Sequence, residues 1–291
     1  MIIDKLIQKI NDTNCPVCVG LDTDISYLPD NMRVNIKSLA DGAKAVFEYN
    51  AALIERLKDI IPAVKVQVAY YEALGVDGMR AFADTLSLAR KAGLIAIADC
   101  KRNDIGSTAA AYSSAYLKSG APFECDMLTV NAYLGEDGVK PFLDDCAAHG
   151  KGIFALVKTS NPGSGQLQDK LLSDGGTVYS LMGKLVAEWG KSLIGKSGYS
   201  SAGAVVGATH PAQAAELRKA LPHTFFLVPG YGAQGGTAAD LKVCFDAKGS
   251  GAIVNNSRGI LCAYKQSKYA GMKAVDAAYE AVIAMREDLN K

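Results

Sequence analysis

Eight short apolar segments recur along the chain and constrain its fold more than any other feature. They are residues 17–21, 63–69, 94–98, 127–130, 153–157, 204–207, 225–228 and 252–254. Apolar runs of this length predict buried strands. Between them lie segments with apolar residues at helical spacing, such as Val275, Ala278 and Val282 near the C-terminus. Strands that alternate with helices predict a parallel sheet, and eight such units predict its closure into a (β/α)8 TIM barrel.

Length and composition favour one domain over residues 1–291. Such barrels typically use roughly 250 residues, and no linker, repeat or low-complexity tract divides this chain. The content of 49% hydrophobic and 21% charged residues is ordinary for a globular protein. A net charge of +1 gives no reason to expect a nucleic-acid or membrane partner. No apolar run reaches the roughly 18 residues of a membrane-spanning helix.

The cysteines favour a reducing, cytoplasmic environment. There are seven, an odd number, and they are scattered through apolar segments, which does not suit a disulfide framework. Residues 1–14 lack the apolar stretch of a signal peptide. Cys15 and Cys18 form a lone C-x-x-C motif, and the chain has only three histidines. We therefore predict a buried thiol pair rather than a zinc site.

Charged residues follow the third apolar run, and Asp99, Lys101 and Asp104 lie within six positions of its end at residue 98. Side chains two apart on a strand point to the same side, so Asp99 and Lys101 should project together. Charges at the end of a buried strand must pair to offset the cost of burial. A structural ion pair would satisfy this requirement. We favour a catalytic lysine held by carboxylates, because no other stretch concentrates opposite charges beside so apolar a strand.

Polar residues also follow the other predicted strands, or in the case of Lys65 lie within one. They are Asp22, Lys65, Asn131, Thr159, Ser160, Thr209, His210 and Arg258. Barrel enzymes build their active sites at the carboxyl ends of the strands. The pattern therefore favours an enzyme, although loops are polar in most proteins. We assign no role to Asn131.

A glycine-rich turn, Gly230 to Gly235, matches the G-x-G-x-x-G pattern after the seventh predicted strand. Only one strand remains after it, and position 255 is Asn rather than an acid, so a dinucleotide-binding fold is excluded. Glycines still let a backbone approach an anion closely, and a helix N-terminus favours negative charge. We predict that this turn binds one phosphate group together with Arg258, rather than being a plain connecting turn.

Two further segments have alternative interpretations. Residues 190–197 match the Walker A pattern, but they follow the helical segment 178–189 and precede a strand, the reverse of a P-loop. We interpret them as a helix-to-strand connection. Residues 161–176 form a long, glycine-containing loop after the fifth strand. Its position at the barrel mouth favours a lid over a surface loop without function.

The spacing Asp99-x-Lys101-x-x-Asp104-Ile105 after an apolar strand resembles the signature of the orotidine 5'-phosphate decarboxylase family. Matching segments recur from about Val19 to Arg258, and residues 159–164 and 255–259 resemble its longer bacterial branch. The resemblance implies cofactor-free decarboxylation of orotidine 5'-phosphate to uridine 5'-phosphate, the last step of de novo pyrimidine nucleotide synthesis. It also implies a homodimer with shared active sites and no metal.

The resemblance further implies a role for each matching residue. Lys101 would be the proton donor, held by Asp99 and by Asp104 of the neighbouring subunit, and Thr108 would also cross the dimer interface. Asp22 and Lys65 would bind the ribose hydroxyls, and Ser160 the pyrimidine. Gln234 would link the pyrimidine loop to the phosphate, which Gly235 and Arg258 would also bind.

Two alternative functions remain at this stage. Related barrel enzymes that act on sugar phosphates, such as a keto-gulonate phosphate decarboxylase or a hexulose phosphate synthase, share the Asp-x-Lys-x-x-Asp pattern but use a divalent metal. A non-catalytic protein that binds a phosphate ligand would need the glycine-rich turn and Arg258, but not a lysine flanked by carboxylates.

Overall fold

The computed structural model describes residues 1–232 and 235–291. Eight parallel strands pair in chain order and close into a barrel through pairing of the last strand with the first. This confirms the predicted (β/α)8 architecture. The strands are β1 (Val17–Leu21), β2 (Ala63–Gln67), β3 (Ile95–Arg102), β4 (Met127–Val130), β5 (Gly152–Lys158), β6 (Ser200–Val206), β7 (Thr224–Val228) and β8 (Ala252–Asn256).

Helices connect successive strands and surround the barrel. They are α1 (Ile2–Thr13), α2 (Asp30–Arg33), α3 (Leu39–Leu57), α4 (Val68–Glu72), α5 (Gly75–Lys91), α6 (Gly106–Tyr116), α7 (Glu136–His149), α8 (Val178–Trp189), α9 (Pro211–Ala220), α10 (Ala238–Leu241), α11 (Arg258–Leu261) and α12 (Ala274–Leu289). Ala278 and Val282 of α12 are buried, as their helical spacing predicts. In the described part of the chain, no helix is both long enough and apolar enough to cross a bilayer.

The amino-terminal end of the barrel is closed by α1. Ile3 and Leu6 of this helix are fully buried in one cluster with Ile95 and Met127, which lie near the starts of their strands. A second, larger apolar cluster fills the layer between the barrel and the outer helices. With the amino-terminal end filled, the carboxyl ends of the strands are the face that can hold a site.

Six of the eight strands have bounds that differ from the predicted segments, and local structure explains three of these differences. The run 63–69 is a strand only to Gln67, because the chain turns into α4 at Val68. The third strand continues to Arg102, so Asp99 and Lys101 lie inside it rather than after it. The sixth strand begins at Ser200, where the Ser200 hydroxyl is buried but bonded to the Gly190 carbonyl at 2.7 Å. Apolar content could not reveal strand residues whose polar groups are satisfied in this way.

Two other predictions are confirmed. Gly190 follows α8, and residues 190–197 connect that helix to β6, as the wrong context of the Walker A match indicates. All seven cysteines are free thiols, and Cys15 and Cys18 are both buried. Burial raises the pKa of Cys15 to about 11, so this thiol stays protonated near neutral pH.

Candidate active site

A cavity of about 670 Å³ opens at the carboxyl ends of the strands. Its wall combines apolar side chains, among them Leu156, Val205 and Leu227, with many charged and polar ones. Those side chains include Asp22, Lys65, Gln67, Asp99, Lys101, Thr129, Thr159, Ser160, Gln168, Asn255, Ser257 and Arg258. The prediction that polar residues at the strand ends share one site is therefore confirmed for β1, β2, β3, β5 and β8.

Asp99 is the centre of the hydrogen-bond network in this cavity. Its Oδ1 accepts hydrogen bonds from Lys101 Nζ at 2.7 Å and from Thr129 Oγ1 at 2.8 Å. Its Oδ2 accepts from Lys65 Nζ at 2.7 Å and from Gln67 Nε2 at 2.9 Å. Four donors from three neighbouring strands thus fix both carboxylate oxygens. The predicted contact between Asp99 and Lys101 is confirmed.

Neighbouring charges keep Asp99 and Lys65 ionised despite their burial. Burial by itself would raise the pKa of Asp99, but the Lys65 and Lys101 ammonium groups outweigh burial and hold that pKa well below its ordinary value. Burial would lower the pKa of Lys65, whereas Asp22 and Asp99 raise it further than burial lowers it. Opposite charges within hydrogen-bond distance therefore offset the desolvation of both groups.

The backbone at Lys101 has an uncommon conformation. Its φ is 47°, in the left-handed region that residues with a side chain rarely adopt. The pairing of β3 with β4 shifts register at the same place. Thr129 Oγ1 accepts hydrogen bonds from the backbone amides of Cys100 and Lys101, both at 3.0 Å. One buried threonine therefore supports the irregular backbone and, through its own hydrogen, bonds to Asp99.

Asp22 extends the network towards β8. Its Oδ1 lies 3.2 Å from Lys65 Nζ, and its Oδ2 accepts a hydrogen bond from Ser257 Oγ at 2.9 Å. Gly20 makes this approach possible, since a Cβ there would lie 1.9 Å from Ser257 Oγ. Ser257 directly precedes Arg258, so the network continues through the chain to the arginine predicted to bind phosphate.

Gly230 and Tyr231, at the start of the glycine-rich turn after β7, line the cavity. The Gly232 amide donates to the Gly236 carbonyl at 2.9 Å, and Gly235 has a φ of 94° that favours glycine. Arg258 lines the same cavity. The helix after the turn, α10, has only four residues, so it contributes little of the helix dipole that was expected to favour a bound phosphate. The predicted role of Gln234 lies outside the described residues.

Ser160 also lines the cavity, at the start of the segment that follows β5. This segment contains a short 3-10 helix, Pro162–Gln166, and an antiparallel bridge between Leu171 and Thr177. Gln168 reaches back from it to line the cavity. The segment thus covers the end of β5, and its closure as a lid stays a prediction.

Asp104 and Thr108 do not line the cavity of their own chain. The Asp104 carboxylate accepts a hydrogen bond from the Ile105 amide at 2.8 Å, and Thr108 is exposed on α6. Asn131 also lies outside the lining, where its Oδ1 accepts from the Tyr133 amide at 3.1 Å. One chain therefore brings together Lys101 and Asp99 but not Asp104.

Sequence reasoning missed Gln67, Thr129, Gln168 and Ser257. Gln67 follows Lys65 by two positions on one strand, so the strand period could have identified it. Thr129 lies inside an apolar run, and its hydroxyl gives no signal until β3 and β4 are paired. Among the described residues, no group of three or more His, Cys, Asp or Glu side chains could hold a metal ion.

Comparisons with known proteins agree with this geometry. Residues 16–272 match the model of the orotidine 5'-phosphate decarboxylase / HUMPS family. An orotidine 5'-phosphate decarboxylase from Rhodopirellula baltica is 46% identical over 98% of this chain and 97% of the relative. One from Clostridium kluyveri is 41% identical over 100% and 98%. The crystal structure of a putative orotidine 5'-phosphate decarboxylase from Streptomyces avermitilis superposes with a TM-score of 0.81 at 31% identity, covering 99% of this chain and 95% of that one.

Proposed function

This chain belongs to the orotidine 5'-phosphate decarboxylase family, and we propose that its cavity decarboxylates orotidine 5'-phosphate with Lys101 as the proton donor. The observation that carries this role is the position of Lys101, which lines the cavity with its Nζ 2.7 Å from Asp99 Oδ1. The product is uridine 5'-phosphate, as in the final step of de novo pyrimidine nucleotide synthesis.

The chemical difficulty is the negative charge left at C6 when carbon dioxide departs. A protonated Lys101 near C6 stabilises that charge and then delivers its proton there. One such contact at 3 to 4 Å contributes roughly 4 to 5 kcal/mol at an effective dielectric of about 20. Enzymes lower barriers by roughly 8 to 23 kcal/mol, so the lysine acts with other groups. Asp99 aims Lys101, and its four donors leave it little freedom to move.

Binding of the rest of the nucleotide supplies further stabilisation. Asp22 and Lys65 bind the ribose hydroxyls, Ser160 binds the pyrimidine, and Arg258 binds the phosphate with the turn that includes Gly235. Asp22, Lys65, Ser160 and Arg258 line one cavity, which supports the binding of base, ribose and phosphate in the same place. Energy from the distant phosphate then orients the base at Lys101. Gln234 retains its proposed role between base and phosphate.

We also propose that the active enzyme is a homodimer in which Asp104 and Thr108 complete the partner's site. The surface around Asp104 supports this proposal, because Ile105 is 54% exposed and Leu134 is 46% exposed. A Cβ on Gly138 would lie 3.0 Å from the Asp104 carbonyl oxygen and 3.3 Å from Leu134, so these residues are neighbours. Exposed apolar residues grouped beside a polar site are typical of an interface.

Complementation between two inactive variants tests the shared site. Lys101→Ala and Asp104→Ala chains are mixed, dissociated and re-associated. In a heterodimer one site collects both defects and the other contains neither, so activity returns towards half of the wild-type value per heterodimer. Heterodimers that form and stay inactive would show that Asp104 serves its own subunit.

The reaction itself is tested by following loss of orotidine 5'-phosphate with and without a chelator. We expect full turnover with the chelator, because Asp22 and Asp99 are both engaged by lysine. A metal-dependent relative that acts on sugar phosphates would lose activity, and a binding protein would show none. Lys101→Ala should abolish turnover and fold normally, since its side chain is 46% exposed. The seven free thiols support a cytoplasmic location.

A further inference from the structure

Lys158 is a buried cation that the proposed reaction does not use. It is the last residue of β5, and its side chain is 0% exposed. Its Nζ lies 2.7 Å from Asp169 Oδ1 and donates to Ser164 Oγ at 3.2 Å. Both partners belong to the segment 161–176. Because an unpaired buried ammonium is very unfavourable, this pairing ties the segment to the barrel.

Gln168, the neighbour of Asp169, lines the cavity and binds Thr159 with both ends of its carboxamide. Its Oε1 accepts from the Thr159 amide at 2.9 Å, and its Nε2 donates to Thr159 Oγ1 at 2.8 Å. The Gln168 carbonyl accepts from the Tyr179 amide at 2.9 Å. Gln168 thus fixes the backbone immediately before Ser160.

Ser160 is also fixed from the other side. Its carbonyl accepts a hydrogen bond from Thr209 Oγ1 at 3.1 Å. Gly207, which follows β6, packs closely against the Ser160 backbone, since a Cβ at position 207 would lie 2.8 Å from it. With Thr159 bound by Gln168, the Ser160 backbone is held between two loops.

We propose that Gln168 is a positioning residue for the base of the nucleotide and that the buried pair Lys158–Asp169 holds it in place. The inference rests on the proposed function, because it takes Ser160 as the contact to the pyrimidine. A side chain that binds a ligand must be held to within about 0.5 Å by its supporting residues. Gln168 supplies that support on the cavity side of Ser160.

The test compares two ligands that share ribose and phosphate but differ in the base. Calorimetry measures binding of uridine 5'-phosphate and of ribose 5-phosphate to the wild-type protein and to each variant. Gln168→Leu removes both hydrogen bonds to Thr159 at similar side-chain length. We expect this variant to bind uridine 5'-phosphate about tenfold or more weakly than wild type does. Its affinity for ribose 5-phosphate should stay within about twofold of the wild-type value. The kcat/KM for orotidine 5'-phosphate should fall in parallel.

Two variants of the same segment complete the design. Asp169→Asn keeps an acceptor for Lys158 but removes the charge, so it should show the same base-selective loss, smaller in size. Asp174→Asn is the matched control, because Asp174 is exposed and accepts only a local bond from the Gly176 amide at 3.0 Å among the described residues. It should leave both ligands unchanged.

The outcomes separate this inference from the proposed function. Equal losses for both ligands, or no loss for either, would refute a role of Gln168 at the base. If Gln168→Leu does not fold, Asp169→Asn decides the same comparison. A wild-type protein that does not turn over orotidine 5'-phosphate would refute the proposed function. An active wild type with unaffected variants would refute only the present inference.

Discussion

Replacement of Thr129 by valine tests the residue that supports Lys101, the proposed proton donor, without changing Lys101 itself. The side chain is 1% exposed and its shape is nearly kept in valine. The change removes the donor to Asp99 Oδ1 at 2.8 Å and the acceptor for the Cys100 and Lys101 amides. We expect Lys101 to lose its fixed position, because its left-handed backbone is no longer supported.

The size of the effect follows from the charged partner. A hydrogen bond to an ionised group contributes about 1.5 to 3 kcal/mol. If that energy is used in the transition state, kcat falls by about 10- to 150-fold. Thr85→Val is the matched control, since Thr85 is also buried but bonds within α5 to the Ala81 carbonyl at 2.6 Å. It should lower the free energy of unfolding by about 1 kcal/mol and leave kcat unchanged.

Steady-state kinetics on orotidine 5'-phosphate and urea unfolding of the same preparations provide the measurements. Thr129→Val should lose both stability and kcat, whereas Thr85→Val should lose stability alone. The reasoning would be refuted if Thr129→Val kept kcat within about threefold of wild type while its free energy of unfolding fell. Thr129 would then support the barrel and not the lysine.

Three further changes probe other parts of the molecule. Arg258→Ala should lower kcat/KM for orotidine 5'-phosphate by about 100-fold or more, while the nucleoside orotidine should react equally slowly with both enzymes. Ser257→Ala removes a donor to the charged network, and kcat/KM should fall by about 5- to 10-fold in the same assay. Burial would raise the pKa of Glu124, but hydrogen bonds, the largest from Lys151, lower it to about 2. Because this folded-state pKa is depressed, the stabilisation is present above the unfolded value near 4.5 and is lost as the pH falls towards 2. Glu124→Gln should therefore cost about 2 kcal/mol at pH 7 and flatten the acid limb of urea unfolding, whereas exposed Asp144→Asn should cost almost nothing.

Local patterns were sufficient to predict the barrel and the central ion pair. Apolar runs separated by helical spacing specify strands and helices without reference to distant residues. The strand period alone brings Asp99 to Lys101, and the contact at 2.7 Å agrees with it. The sequence patterns did not identify polar site residues inside strands, such as Thr129, because the hydrogen-bond partners of these residues lie on other strands. Hydrogen bonds such as Ser257 to Asp22 join residues 235 positions apart and have no local signature.

The second carboxylate predicted beside Lys101, Asp104 of the neighbouring subunit, also depends on a contact that has no local signature in the sequence. Within one chain the cavity brings two carboxylates, Asp22 and Asp99, against two ammonium groups, Lys65 and Lys101. Lys65 is 5% exposed, but Lys101, the proposed proton donor, is 46% exposed. A charge in contact with water stabilises a carbanion far less than one in a site that excludes water. A partner subunit seated on the exposed apolar surface beside Asp104 would cover Lys101 and add the second carboxylate. The exposure of Lys101 in one chain is therefore itself an argument for the proposed shared site.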